Sequence, residues 1–297
     1  MYDLDSIQYY LTSAKYFHWN IDPEFFSLGP VKIRWYGLAF ASSFLFGFLL
    51  LRRIFRLEGR PVKNLEKLLV YVLIGTILGA RLGHCFFYNP SYFLGNPIEI
   101  LKVWKGGLAS HGGGLGALIA IFLYSRNKPQ STGRLPWAQV TAEPYLWLLD
   151  RIAIDAALCG FFIRIGNLFN SEIIGTPTTL PWAFIFEKVD NIPRHPVQLY
   201  ESVTYGLIFV VLLTIYTKQR HKVKQGFLTG LFLLLVFTAR FFLEFVKARQ
   251  ASYSSNLPFS VGQLLSIPFL LAGIVLITHS YRKQLSHLGG ACNNEPG

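Results

Sequence analysis

Seven apolar runs, each about long enough to cross a bilayer, divide this chain, and they constrain its fold more than any other feature. They lie near residues 36–51, 69–88, 107–125, 146–168, 199–216, 226–246 and 260–280. A helix of about 20 apolar residues spans the hydrocarbon core and satisfies its own backbone hydrogen bonds, which lipid cannot do for it. The sequence therefore predicts an all-α fold, a polytopic integral membrane helix bundle of about seven transmembrane helices with short loops. The first run is short and is expected to recruit residues before Tyr36; the third and fourth are interrupted by glycine and polar residues. Residues 1–289 are expected to form a single transmembrane domain, and the small, polar tail 290–297 to be disordered. The first thirty residues lack the charged start, apolar stretch and small-residue cleavage site of a signal peptide, so the first span is expected to direct insertion.

Charge is scarce and unevenly placed. Charged residues make up 15% of the chain, against about 25% in soluble domains, yet the net charge is +12. Arg52, Arg53, Arg56, Arg60, Lys63 and Lys67 follow the first span, Arg126, Lys128 and Arg134 the third, Lys218, Arg220, Lys222 and Lys224 the fifth, and Arg282 and Lys283 the seventh. Alternate loops are thus basic, as retention of Lys and Arg on the cytoplasmic side produces, and the amino terminus is expected outside with the carboxyl terminus in the cytoplasm. Nucleic-acid binding would need the same charges on one solvated face, so it is set aside. The loops 89–106, 169–198 and 247–259, expected outside, are rich in proline, aromatic and amide residues. Cys85, Cys159 and Cys292 offer neither a CxxC site nor an obvious disulfide pair, which argues against redox and zinc chemistry.

Ionisable side chains at membrane depth cost about 3 kcal/mol each on insertion scales. Arg81, Asp155, Arg164, Arg240 and Glu244 are of this kind; they either pair to hold the bundle together or serve a site. Arg240 and Glu244, four apart, are expected to form an ion pair that orients the arginine inward. Arg164 begins a run in which Asn167 and Asn170 follow at helical spacing. Both arginines lie toward the outer ends of their spans, the depth of a phospholipid phosphate, and guanidinium groups bind phosphate through paired hydrogen bonds. Gly106–Gly114 encloses His111: the glycines suit either a close helix seam or backbone approach to a ligand, and the histidine either a structural hydrogen bond or proton transfer. Pro193–Glu201 opens the fifth span with a dense polar set in which His195 and Glu201 are expected to position substrate.

Taken in order, Ile33–Gly37, Gly79–Gly83, Gly107–Gly113, Arg164–Gly175, Pro193–Glu201, Arg240–Phe245 and Val261–Pro268 resemble the signature regions of the prolipoprotein diacylglyceryl transferases. The resemblance implies transfer of the diacylglyceryl group of phosphatidylglycerol to the thiol of the lipobox cysteine in a prolipoprotein signal peptide. A thioether forms and glycerol phosphate leaves, with no metal or dissociable cofactor, in a multi-pass protein of the bacterial cytoplasmic (inner) membrane bilayer. By similarity His111 helps deprotonate the thiol, and Arg164 and Arg240 handle the phosphate. Tyr36, Asn167, Asn170, Glu172, Gly175 and Glu244 fall on further family positions; with Arg81, His195 and Glu201 they form the expected substrate-binding set. Two departures stand at the rim: Val236, where the family often has tyrosine, and Val246–Gln250, where it often has an Arg-Gln-Pro-Asp run. The competing reading is a transporter or channel for an anionic lipid or solute, against which stand the lack of an internal repeat and the gathering of polar groups toward one side.

Overall fold

The computed structural model describes residues 15–29, 31–103, 107, 109–126, 143–220, 222–248 and 259–291. Nine α-helices lie among them: α1 Trp35–Leu57, α2 Val62–Phe87, α3 Pro90–Gly95, α4 Pro97–Leu101, α5 Ser110–Arg126, α6 Tyr145–Phe169, α7 Val197–Gln219, α8 Phe227–Leu243 and α9 Val261–Ala291. A 3₁₀ turn, Glu244–Val246, follows α8. Six of these helices are long and apolar enough to cross a membrane, and the chain is a multi-pass membrane protein. The remaining expected span, α5, is helical over 17 residues.

The first span differs from expectation in one respect. It recruits only Trp35 before Tyr36, because the residues just upstream form a strand, and it gains its length by running on through Arg52, Arg53 and Arg56. Long basic side chains allow such an extension, since their stems cover apolar surface while their heads reach water. The expected disorder of residues 290–297 meets a helix at Gly290 and Ala291; positions 292–297, like the loop 127–142 and Arg249 and Gln250, lie outside the described residues.

Among the described residues five short strands add to the helical bundle: β1 Phe17–Trp19, β2 Glu24–Leu28, β3 Val31–Arg34, β4 Phe184–Phe186 and β5 Pro193–Arg194. β1 pairs in parallel with β4, which pairs antiparallel with β5, while β2 and β3 form a hairpin in which Glu24 is opposite Arg34. These strands give the chain outside the spans a hydrogen-bonded frame where loops were expected.

The chain divides into two compact units, residues 50–151 and residues 1–49 with 152–297, the divisions falling inside α1 and α6. In the first of these, α2 and α5 meet along a seam of small residues. A β-carbon on Gly75 would strike the Gly116 backbone, one on Gly79 the Gly112 carbonyl, and one on Gly83 would come within 2.9 Å of Gly112 Cα. The glycines around His111 thus serve close helix packing, one of the two readings open from sequence. The same unit buries a polar clasp: Arg151 bonds both Glu58 carboxylate oxygens at 2.9 and 3.0 Å, and Asn64 Nδ2 donates to Glu143 Oε1 at 2.8 Å.

In the other unit α6 packs against α7, with Ser202 Oγ donating to the Phe161 carbonyl at 3.2 Å. Asp155 faces Gly47 of α1, where a β-carbon would lie 2.8 Å from the carboxyl carbon, and accepts a weak bond from the Cys159 thiol at 3.8 Å. That membrane-depth carboxyl therefore sits in a helix contact. Leu212, Ile154 and Ala157 are buried in this unit, whereas Leu38, Phe40, Leu207 and Leu271 point outward, as spans facing hydrocarbon do.

Candidate functional site

Arg164 lies near the carboxyl end of α6, and the chain turns back at once through Ser171 and Ile173, both with left-handed backbone at φ 53° and 57°. Side chains without glycine's freedom rarely adopt that conformation unless surrounding bonds hold it. Here the turn delivers Glu172 back to the helix end. Arg164 Nη1 donates to Asn167 Oδ1 at 3.1 Å, Asn167 Nδ2 donates to Glu172 Oε2 at 3.1 Å, and Asn170 Nδ2 donates to Glu172 Oε1 at 3.1 Å. Gln198 Nε2 fixes the Glu172 carbonyl at 2.6 Å. Tyr36 packs on Gly166, where a β-carbon would lie 2.8 Å from the ring, and feels the charges of Glu172 and Arg164. The line from Arg164 to Glu172 is continuous, so the guanidinium plane is oriented by side chains that the Asn-x-x-Asn spacing predicted.

Glu201, in the first turns of α7, is the centre of charge. Its Oε2 lies 2.9 Å from Arg164 Nε as an ion pair, but the N–H does not point at it, and Oε2 counts among the buried atoms without a hydrogen bond. We take the charge proximity as the significant contact, since Coulomb attraction needs no alignment. Its other oxygen accepts from Lys247 Nζ at 3.4 Å. Arg240 lines a small cavity together with Glu201, Thr204 and Tyr205, and its buried Nε has no partner among the described residues. The expected Arg240–Glu244 ion pair does not form: Glu244 lies 3.8 Å from Lys247 instead. The backbone register is kept, since Glu244 N still bonds the Arg240 carbonyl; it is the side chain that turns away, its carboxylate packing against Gly262 of α9 and facing Lys247.

Lys247 was not among the residues expected at the site; it stood only within a departure from the family pattern. Its position is fixed by backbone pairing: Thr176 N bonds the Val246 carbonyl at 2.9 Å, Ala248 N bonds the Ile174 carbonyl at 3.1 Å, and Gly175 bridges Lys247. Gly175 also donates to the His195 carbonyl at 3.1 Å, and a β-carbon there would lie 2.5 Å from His195 Cβ. No side chain but hydrogen fits between the two segments. His195 Nδ1 is 3.3 Å from Tyr200 Oη, to which Trp182 Nε1 donates at 2.8 Å, and burial pushes the imidazole below its ordinary pKa. Beside it Arg194 grips Asp190 at 2.6 Å, holding that carboxyl below the usual carboxylate range.

With this geometry in view, comparison with known proteins assigns the chain. The profile of the prolipoprotein diacylglyceryl transferase family matches residues 23–279. The chain belongs to that family. A phosphatidylglycerol–prolipoprotein diacylglyceryl transferase of Tolumonas auensis is 52% identical over 90% of this chain and 98% of its own length. Proteins of the same name from Chloroherpeton thalassium, 50% identical over 92% and 97%, and from Bacteroides fragilis, 40% identical over 86% and 92%, are also similar.

In this diacylglyceryl transferase family member, the remaining two expected residues belong to the unit of residues 50–151. Arg81 is buried and bonds three backbone carbonyls, those of Glu99 at 2.6 Å, Ile100 at 2.9 Å and Gly107 at 3.3 Å. Its guanidinium also lies over the Phe93 ring at 5.1 Å. Expected among substrate contacts, Arg81 here ties α4 and the chain before α5 to α2. Gly107 takes φ +71° beside it, where a β-carbon would come 2.6 Å from His84 Nε2. His111 stands exposed in the first turn of α5, its ring 5.7 Å from Phe87 and 6.0 Å from Tyr88.

Proposed function

We propose that this family member transfers the diacylglyceryl group of phosphatidylglycerol to the lipobox cysteine of prolipoproteins, at the outer face of a bacterial cytoplasmic membrane. The observation that carries the reading is the charge arrangement around Glu201: Arg164, held by Asn167, and Lys247 share that carboxylate, and Arg240 borders it with a free Nε. A phosphate arriving there exchanges one carboxylate partner for another anion without leaving the guanidinium groups bare in a low-dielectric site.

In the reaction so proposed, the cysteine sulfur attacks the glycerol carbon that bears the phosphate. A carbon–sulfur bond forms, the carbon–oxygen bond breaks, and its electron pair leaves on glycerol phosphate. Arg164 and Arg240 stabilise the charge that gathers on that leaving oxygen and its phosphate. The thiol must lose its proton to become the nucleophile, and His111 takes the part of acceptor, an assignment that rests on the resemblance. Glu172, bonded through both oxygens, and Tyr36 keep Arg164 in place during the exchange. The amide and carboxylate groups that line the site require no enzyme cysteine.

The test is a detergent-micelle assay of the purified protein with phosphatidylglycerol and a lipobox peptide, reading peptide mass. The wild type should gain the mass of one diacylglyceryl group and His111→Ala should not. Absence of any gain with folded wild-type protein overturns the reading; a full gain in His111→Ala overturns the role of that histidine.

A further inference from the structure

Beyond the charge cluster lies a second, separate cavity, lined by Asp22, Pro23, Glu24, Arg34, Asn170 and Glu172. Its volume, about 220 Å³, would hold a three-carbon polyol with room for water. The lining carries both signs of charge and an amide, unlike the purely apolar groove along the α2–α5 seam. Among the described residues the exposed Arg34 side chain makes no hydrogen bond or ion pair, and Asn170 Oδ1 is buried without a partner. The carboxylates are only partly engaged: Asp22 Oδ1 accepts from the Glu24 backbone at 2.9 Å and Glu24 Oε1 from Lys32 at 2.8 Å, which leaves the second oxygen of each available.

Two constraints hold the cavity in shape. Glu24 and Arg34 are cross-strand partners in the β2–β3 hairpin, Trp35 N bonds the Pro23 carbonyl at 3.0 Å and Glu24 N bonds Asp22 Oδ1 at 2.9 Å, so four lining residues belong to one bonded element. The other two, Asn170 and Glu172, are the outer members of the line that begins at Arg164. A phosphodiester resting at Arg164 has two arms; hydrocarbon takes the diacylglyceryl one, which leaves the polar arm for this polar cavity at the end of the same line. Neighbouring hydroxyls both donate and accept, and a lining of carboxylate oxygens, an amide and a guanidinium satisfies both roles.

We infer that this cavity is the subsite for the distal glycerol of the phospholipid headgroup and that it selects a diol-bearing anionic lipid over other anionic lipids. The inference rests on the transferase reading above and adds the specificity determinant to it. Asp22 and Glu24 accept from the two hydroxyls, and Arg34 donates to them. A site built to bond hydroxyls rejects an analogue that lacks them, because its own polar groups are then left unpaired.

The experiment compares two donor lipids in the peptide-mass assay: phosphatidylglycerol and a phosphatidylpropanol of identical acyl chains, which keeps the phosphate and lacks both hydroxyls. Wild type should favour phosphatidylglycerol by tenfold or more in kcat/KM, on the order of one or two lost hydrogen bonds. In D22N/E24Q and in R34A that preference should fall to within about twofold. Equal use of both lipids by the wild type, or variants that retain the wild-type preference, would overturn the subsite. A variant that lost both donors in the same proportion would mark its residues as structural and would likewise overturn it. Wild-type protein that used neither lipid would defeat the transferase reading itself, an outcome distinct from loss of selectivity.

Discussion

Glu201 stands 2.9 Å from Arg164 and 3.4 Å from Lys247, so a single carboxylate compensates two cations at a depth where an uncompensated charge costs about 3 kcal/mol. From the sequence it read as a helix-start residue expected to help position substrate, but its cation partners did not, because nothing in spacing alone reports which side chains from other elements converge on it. Asn167 was legible, since it follows Arg164 by three residues, about one turn along α6, whereas Asn170 lies just past the end of that helix and joins the cluster through Glu172. Lys247 was not, because backbone pairing between residues 174–176 and 246–248 brings it in from a distant stretch of chain. Arg164→Ala and Arg240→Ala should each lower kcat/KM for lipid by at least about a hundredfold, the scale seen when one charge-stabilising donor is removed. Arg240→Lys should lose nearly as much, since an ammonium lacks the planar fork that meets phosphate twice. Near-normal turnover in any of the three, measured by peptide mass, would refute the clamp.

At the level of elements, the helix pair α2–α5 shows how small residues fix geometry. Gly75, Gly79 and Gly83 recur a turn apart and meet Gly112 and Gly116 with backbone against backbone, so helix axes approach more closely than any side chain would allow. Sequence alone leaves both this seam and ligand approach open for the glycines, with helix packing the commoner explanation; the partner helix distinguishes them. Gly79→Ala should therefore lower thermal stability in detergent by about 1–3 kcal/mol, the cost of overpacking, whereas Gly114→Ala, with nothing within 4 Å, should leave it unchanged or slightly raised. A melting temperature equal in the two variants would contradict the seam. The end of α8 shows the converse: Glu244 keeps its helical backbone bond to Arg240, yet its carboxylate turns to Gly262 and Lys247, so i, i+4 spacing permits an ion pair without securing it.

For the molecule as a whole, the basic loops predict orientation, and labelling can read it directly. In intact cells a membrane-impermeant maleimide should modify Lys188→Cys, an exposed position in the region between α6 and α7, but should modify Lys222→Cys, exposed between α7 and α8, only after permeabilisation. The reverse pattern would invert the topology and remove the site from the leaflet face proposed for it. The sequence by itself determined the membrane fold and the approximate limits of the spans, and it put Asn167 a turn from Arg164, because hydrocarbon selects apolar length and helical period is a local property. Tertiary structure alone decided that Arg81 holds backbone carbonyls, that Glu244 turns to Lys247 and that Glu201 is shared by two cations. Each of those outcomes depends on which carbonyl, carboxylate or cation the packed elements bring within about 3–4 Å, and the steep fall of hydrogen bonding and desolvated charge attraction with distance makes that arrival decisive.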